Sequence, residues 1–254
     1  MIPLRDTVRS RSFPIVNWLL IGTNVLVFLF EKSLGPRAFE LFVGAFGLVP
    51  AYLTSASPFA WITVFTSMFL HGGWLHLIAN MWALYIFGDN VEDRMGHGRY
   101  LFFYLAAGVA GGLLQVATGP NSIVPMVGAS GAIAGVLGAY LLLYPRARVV
   151  TLIPIFFLPW FVELPALLYL GFWFVSQFFG GVAALGAVAG GGVAYWAHVG
   201  GFVAGLSLVH VFASRQDPQR AAVEIVRPQR RYRLVYDPLR RATYRVYEDE
   251  FGVW

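Results

Sequence analysis

Six stretches of this 254-residue chain are apolar over close to the length that a helix needs to cross hydrocarbon, about 20 residues. They cover roughly 13–30, 68–87, 100–118, 123–144, 164–179 and 192–213. The fifth needs arbitration, because the apolar run from Val149 onward is too long for one crossing. Pro154 and Pro159 break its first part, which is therefore expected at the membrane interface, with the span starting near Pro165. The expected fold class is all-α, a polytopic membrane protein built as a bundle of six transmembrane helices. Composition agrees: 58% of residues are hydrophobic and 12% charged, against about 25% charged in a soluble domain. A soluble globule, a disordered chain and a nucleic-acid reader with a basic groove are excluded. There are no cysteines, so disulfides, thiolate nucleophiles and Cys-ligated metals are excluded too.

Basic residues in the connections orient the chain. Arg5, Arg9 and Arg11 precede the first span, Arg94 and Arg99 follow the second, and Arg146 and Arg148 follow the fourth. The third-to-fourth and fifth-to-sixth connections carry no charge. The expected organisation is a cytoplasmic segment 1–12, a membrane domain 13–213 and a cytoplasmic tail 214–254, disordered or strand-forming. No small-residue cleavage site follows the first span, which reads as retained. The first outer connection, from Glu31 to about Ser67, is apolar enough to lie against the outer leaflet as short amphipathic pieces. The glycine-rich, uncharged stretch 180–192 is expected to form a mobile cap.

Polar side chains within spans are functional suspects, because hydrocarbon makes them costly. His97 and His210 fall near the inner face. His71, His76, Asn80 and His198 fall in the outer halves of spans two and six. At about 1.5 Å per helical residue, Ser130 and His198 lie at matching depths of roughly 10 and 9 Å from the outer side. His76 and Asn80 are four apart and share a helix face. His71 is turned about 140° from His76 and reads as a structural partner at the loop junction.

Ser130 stands in Gly128-Ala129-Ser130-Gly131 and His198 in Ala197-His198-Val199-Gly200-Gly201. Small residues at such spacing also serve simply as packing faces. Together, Gly131/Gly135 and Gly201/Gly205 would bring spans four and six close enough for Ser130 and His198 to touch. That pair permits nucleophilic acyl transfer, with His198 taking the serine proton. The acids lie elsewhere: Asp89, Glu92, Asp93 and Glu163 at the inner face, Glu31 and Glu40 in the outer loop. A dyad is therefore favoured over a triad. His76, Asn80 and the Ser130 backbone N–H are the available oxyanion donors.

These motifs, with His71-x4-His76-x3-Asn80, resemble the signature set of rhomboid intramembrane serine proteases over roughly 13–213. The resemblance implies Ser130 as nucleophile and His198 as general base. His76, Asn80 and backbone N–H groups near Gly128 and Ser130 would stabilise the oxyanion. It also implies single-span membrane protein substrates within the lipid bilayer, no cofactor or metal, no nucleic acid, and a multi-pass location in a cell membrane, as in the bacterial inner membrane. Ala134 stands where family members often carry an aromatic that stacks on the histidine, and the Trp-Arg pair of the first outer loop is missing. Other readings are a catalytically silent relative that binds transmembrane clients, a transporter using the His/Asn cluster, and a metal site from His71, His76 and His198. The absence of mid-span acids, of an inverted repeat and of an HExxH pattern counts against the last two.

Overall fold

The computed structural model describes residues 1–55, 59–155, 158–185, 192–213, 231–237 and 242–248. The expected spans correspond to α1 (Ile15–Ser33), α5 (Trp74–Met95), α6 (His97–Thr118), α7 (Ser130–Leu143), α8 (Ala166–Leu185) and α9 (Tyr195–Phe212). The first outer connection forms three short helices, α2 (Pro36–Phe46), α3 (Pro50–Thr54) and α4 (Ala60–Thr66). Among the described residues, four helices are long and apolar enough to cross a membrane alone, and a fifth span arises if α4 and α5, bent by 81°, count as one. Helix α7 is shorter, at 14 residues or about 21 Å.

Two connections explain how the helices are held. A single residue, Gly96, separates α5 from α6 with φ at 78°, a left-handed backbone that favours glycine. Helix α1 has no capping side chain of its own. The buried carboxylate of Glu92 on α5 accepts instead from the N–H groups of Val16 and Asn17 at 2.9 and 2.7 Å. It thus satisfies two of the donors that a helix start leaves open. His97 shares the same carboxylate. Large rings from several helices fill the core, with Phe28, Phe87, Tyr100, Phe103, Tyr104 and Tyr140 almost fully buried.

Helix α7 sits at the centre, with Gly131 through Tyr140 all buried. Its seam with α9 has almost no side chain in it. A Cβ built on Gly201 would overlap the carbonyl oxygen of Gly131, and one on Gly205 that of Gly135. The spacing Gly131/Gly135 with Gly201/Gly205 therefore does bring these backbones together.

Two features depart from expectation. The proline-broken run, for which no strand was expected, is a β-hairpin, β2 (Arg148–Ile155) and β3 (Leu158–Pro165), and β1 (Ile2–Asp6) adds to it antiparallel in the order β1-β2-β3. The glycine-rich stretch is not a cap over its first part. Residues 180–185 continue α8, where the missing Cβ atoms of Gly180 and Gly181 seat the rings of Tyr195 and Trp196. The rest of that expected cap, 186–191, lies outside the described residues. A separate C-terminal unit, 222–254, contains an antiparallel pair, β4 (Arg231–Asp237) and β5 (Ala242–Glu248). The strand-forming alternative for the tail thus holds over those residues.

Strand β1 is pinned through Asp6, whose carboxylate accepts from Tyr140 at 2.5 Å and Asn90 at 3.0 Å. Burial, reinforced by Asp89 and partly opposed by the Tyr140 hydrogen bond, raises the Asp6 carboxyl from 3.8 to about 7. Between these values the folded chain binds more protons than the unfolded one. Its contribution to stability is therefore full below about pH 4 and declines as pH rises towards 7. The expected result is a melting temperature that falls over this window in the parent and falls less in Asp6→Asn. Equal slopes in the two proteins would remove Asp6 as the cause.

Candidate active site

The fourth apolar stretch does not enter as a helix. Pro125 lacks an N–H and disfavours helical backbone before it, and Gly128 has φ at 126°. Residues 123–129 therefore run in irregularly, and the depth estimate based on helical rise does not apply to them. The backbones of Met126 and Leu48 pair in both directions, at 3.0 and 2.8 Å. This fixes the incoming strand to the first outer connection. Helix α7 then starts at Ser130 itself. The N–H groups of its first turn have no earlier carbonyl in the helix to bond.

His198 is the fourth residue of α9 and only 9% exposed. Its Nε2 lies 2.7 Å from Ser130 Oγ. Its Nδ1 lies 2.8 Å from Gln177 Oε1, on α8. The ring of Trp173, also on α8, tilts beside the imidazole with centroids 5.8 Å apart. The aromatic neighbour missing at Ala134 thus comes from another helix. Ala134 itself is buried against the α7–α9 seam, in contact range of a Cβ on Gly201.

Across from this pair, His76 and Asn80 on α5 converge on Gly128. A Cβ there would lie 2.6 Å from His76 Nε2 and 3.7 Å from Asn80 Nδ2. The Gly128 N–H, a candidate oxyanion donor by sequence, already donates to the Ser67 carbonyl at 2.9 Å. What Gly128 contributes is space and an unusual backbone turn. Asn80 is buried, with its amide 3.0 Å from Nε2 of His71. His71 is in turn held by its backbone N–H, which donates to the Glu31 carboxylate at 3.2 Å. Glu31 is therefore not a loop acid but a buried residue near the end of α1, one layer behind the site. His97 and His210 lie apart from this group, at the start of α6 and the last turn of α9.

The structure thus brings Ser130, His198, His76, Asn80 and Gly128 to one end of the bundle. Reasoning from the chain missed Gln177 and Trp173. The signal is present in the chain, since Gln177 is a polar residue inside an apolar helix. A small cavity beside Ser130 is lined by Val64, Met68, Gly108, Gly112, Met126 and Ala197.

A profile of the Rhomboid domain matches residues 58–215, more than half of the chain, including every residue of this cluster. The chain belongs to the rhomboid family. It is a multi-pass membrane protein of that family, and two of its relatives in Bacillus subtilis carry protease names. A rhomboid protease, GluP of Bacillus subtilis, is 39% identical over 129 residues, which is 50% of this chain and 24% of GluP. The rhomboid YdcA of the same bacterium is 32% identical over 131 residues, 52% of this chain and 63% of YdcA. Rhomboid protein 1, mitochondrial, of Saccharomyces cerevisiae is 32% identical over 136 residues, 52% of this chain and 37% of that protein. In each case the matched part is less than two thirds of the relative's own length.

Proposed function

We propose that this rhomboid is an intramembrane serine endopeptidase that cleaves membrane-anchored proteins near the outer membrane face. The observation that carries the reading is the 2.7 Å approach of Ser130 Oγ to His198 Nε2. In the proposed reaction Ser130 attacks the scissile carbonyl carbon while its proton passes to His198. The tetrahedral oxyanion is met by Asn80, His76 and the Ser130 N–H at the positive end of α7. Collapse breaks the C–N bond, and His198 returns the proton to the departing amine. Water, giving a proton to the same imidazole, then attacks the acyl carbon; the C–Oγ bond breaks and the imidazolium returns that proton to the Ser130 oxygen. Gly128 keeps the oxyanion volume open rather than donating to it.

The small size of the cavity beside Ser130, lined by Gly108, Gly112, Gly131 and Ala197 among others, supports a small side chain at the scissile bond. A substrate helix must unwind locally to expose a carbonyl there, because helical backbone groups are already paired. The arginine distribution supports cytoplasmic termini and an active site that opens to the outer side.

A fluorophosphonate probe tests the reading directly. The protein in proteoliposomes should be labelled at Ser130, as located by peptide mass spectrometry, and the label should vanish in His198→Ala. Absence of labelling in the folded parent, or labelling of another serine, would return the chain to the class of silent client binders.

A further inference from the structure

The chain of hydrogen bonds behind His198 has only one consistent direction. Ser176 donates its hydroxyl hydrogen to the Trp173 carbonyl at 2.6 Å. Its oxygen is then the acceptor for the Gln177 amide nitrogen at 3.0 Å. That turns Gln177 Oε1, which can only accept, towards His198 Nδ1 at 2.8 Å. A neutral imidazole carries one N–H, so the proton sits on Nδ1. The Nε2 lone pair is left facing the Ser130 hydroxyl.

We propose that Gln177 is a positioning residue which, through this Ser176–Gln177 relay, holds His198 in the tautomer and orientation that accept the Ser130 proton. The proposal rests on the Ser130–His198 reading above and adds a third, uncharged member to it. An amide suits the place. A carboxylate there would place a net charge at a part-buried position on an apolar helix, unpaired whenever His198 is neutral, which is costly. Neutral Oε1 orients the ring at no such cost, and its bond strengthens when His198 becomes an imidazolium. Trp173 lies four residues before Gln177, on the same face of α8, and limits tilting of the ring from the side. Helix α8 thereby supplies both the acceptor and the aromatic neighbour, where α7 offers only Ala134.

The test uses the full chain, with ¹⁵N-labelled histidine and two variants. Gln177→Leu keeps the bulk and loses the acceptor, while Gln177→Glu keeps an acceptor oxygen at the same reach. In the parent, the His198 signal, assigned by its loss in His198→Ala, should show a protonated Nδ1 and a bare Nε2. Gln177→Leu should mix or reverse that pattern and lower kcat by about 10- to 100-fold, the worth of one hydrogen bond to a charged ring, with KM little changed. Gln177→Glu should recover at least a tenth of the parent kcat. A parent His198 protonated on Nε2, a Gln177→Leu variant with full kcat, or equal loss in both variants would each overturn the proposal. A parent with the expected Nδ1 signal and no cleavage of any substrate would sink the protease reading while supporting the positioning role.

Discussion

Replacing Ser130 or His198 by alanine is expected to bring cleavage of a transmembrane reporter in proteoliposomes below detection. Members of such a unit act together. Removing the nucleophile or the base of a serine protease costs on the order of 10⁶-fold in kcat, and removing both costs little more. The double variant should therefore be no worse than either single one. Neither change should unfold the chain. Ser130 is half-buried at a helix start, and among the described residues the aromatic ring beside His198 is that of Trp173. Melting temperatures within a few degrees of the parent would separate lost chemistry from lost structure. A residual rate within tenfold of the parent in either single variant would end the assignment of that residue.

The second large effect concerns stability. Gly201→Ala should cost about 3 kcal/mol or more, at the upper end of what overpacking does in a filled core, and Gly201→Val should yield no folded protein. The new methyl would meet the Gly131 carbonyl, which is backbone and cannot swing aside. The two helices would have to part along the seam that also fixes the Ser130–His198 distance. Gly22→Ala and Gly171→Ala are the controls, because a Cβ at either meets nothing within 4 Å. They should melt within a few degrees of the parent. An unchanged melting temperature for Gly201→Ala would mean that the seam is looser than described.

Much of this was legible in the chain because membrane segments announce themselves by length and the site by small residues at fixed spacing. The pairing of Gly131 and Gly135 with Gly201 and Gly205 could be inferred before any coordinates. So could the joint face of His76 and Asn80. Other parts carried no local signal. Strand β1 pairs with a strand nearly 150 residues away, and an apolar run such as Val149–Ile155 has no periodicity that separates a strand from an interfacial helix. Pro154 and Pro159 do break the helix, but nothing in the run specifies its strand partners. Pro125 and Gly128 carried the information that Ser130 begins its helix, outweighed by the hydropathy of the whole stretch. Unlike Asn80, Gln177 shares its helix with no histidine, and its partner on α9 is fixed only by the fold.

The bare seam between α7 and α9 has a mechanical meaning. Side chains act as bearings between helices, since they can change rotamer and let one rod slide past another. Where backbone meets backbone there is no such lubricating layer, and the two rods move as one piece or not at all. If the proposed protease reading holds, an opening that admits a client is expected at the periphery, with the hydroxyl and the imidazole held at their separation by this seam.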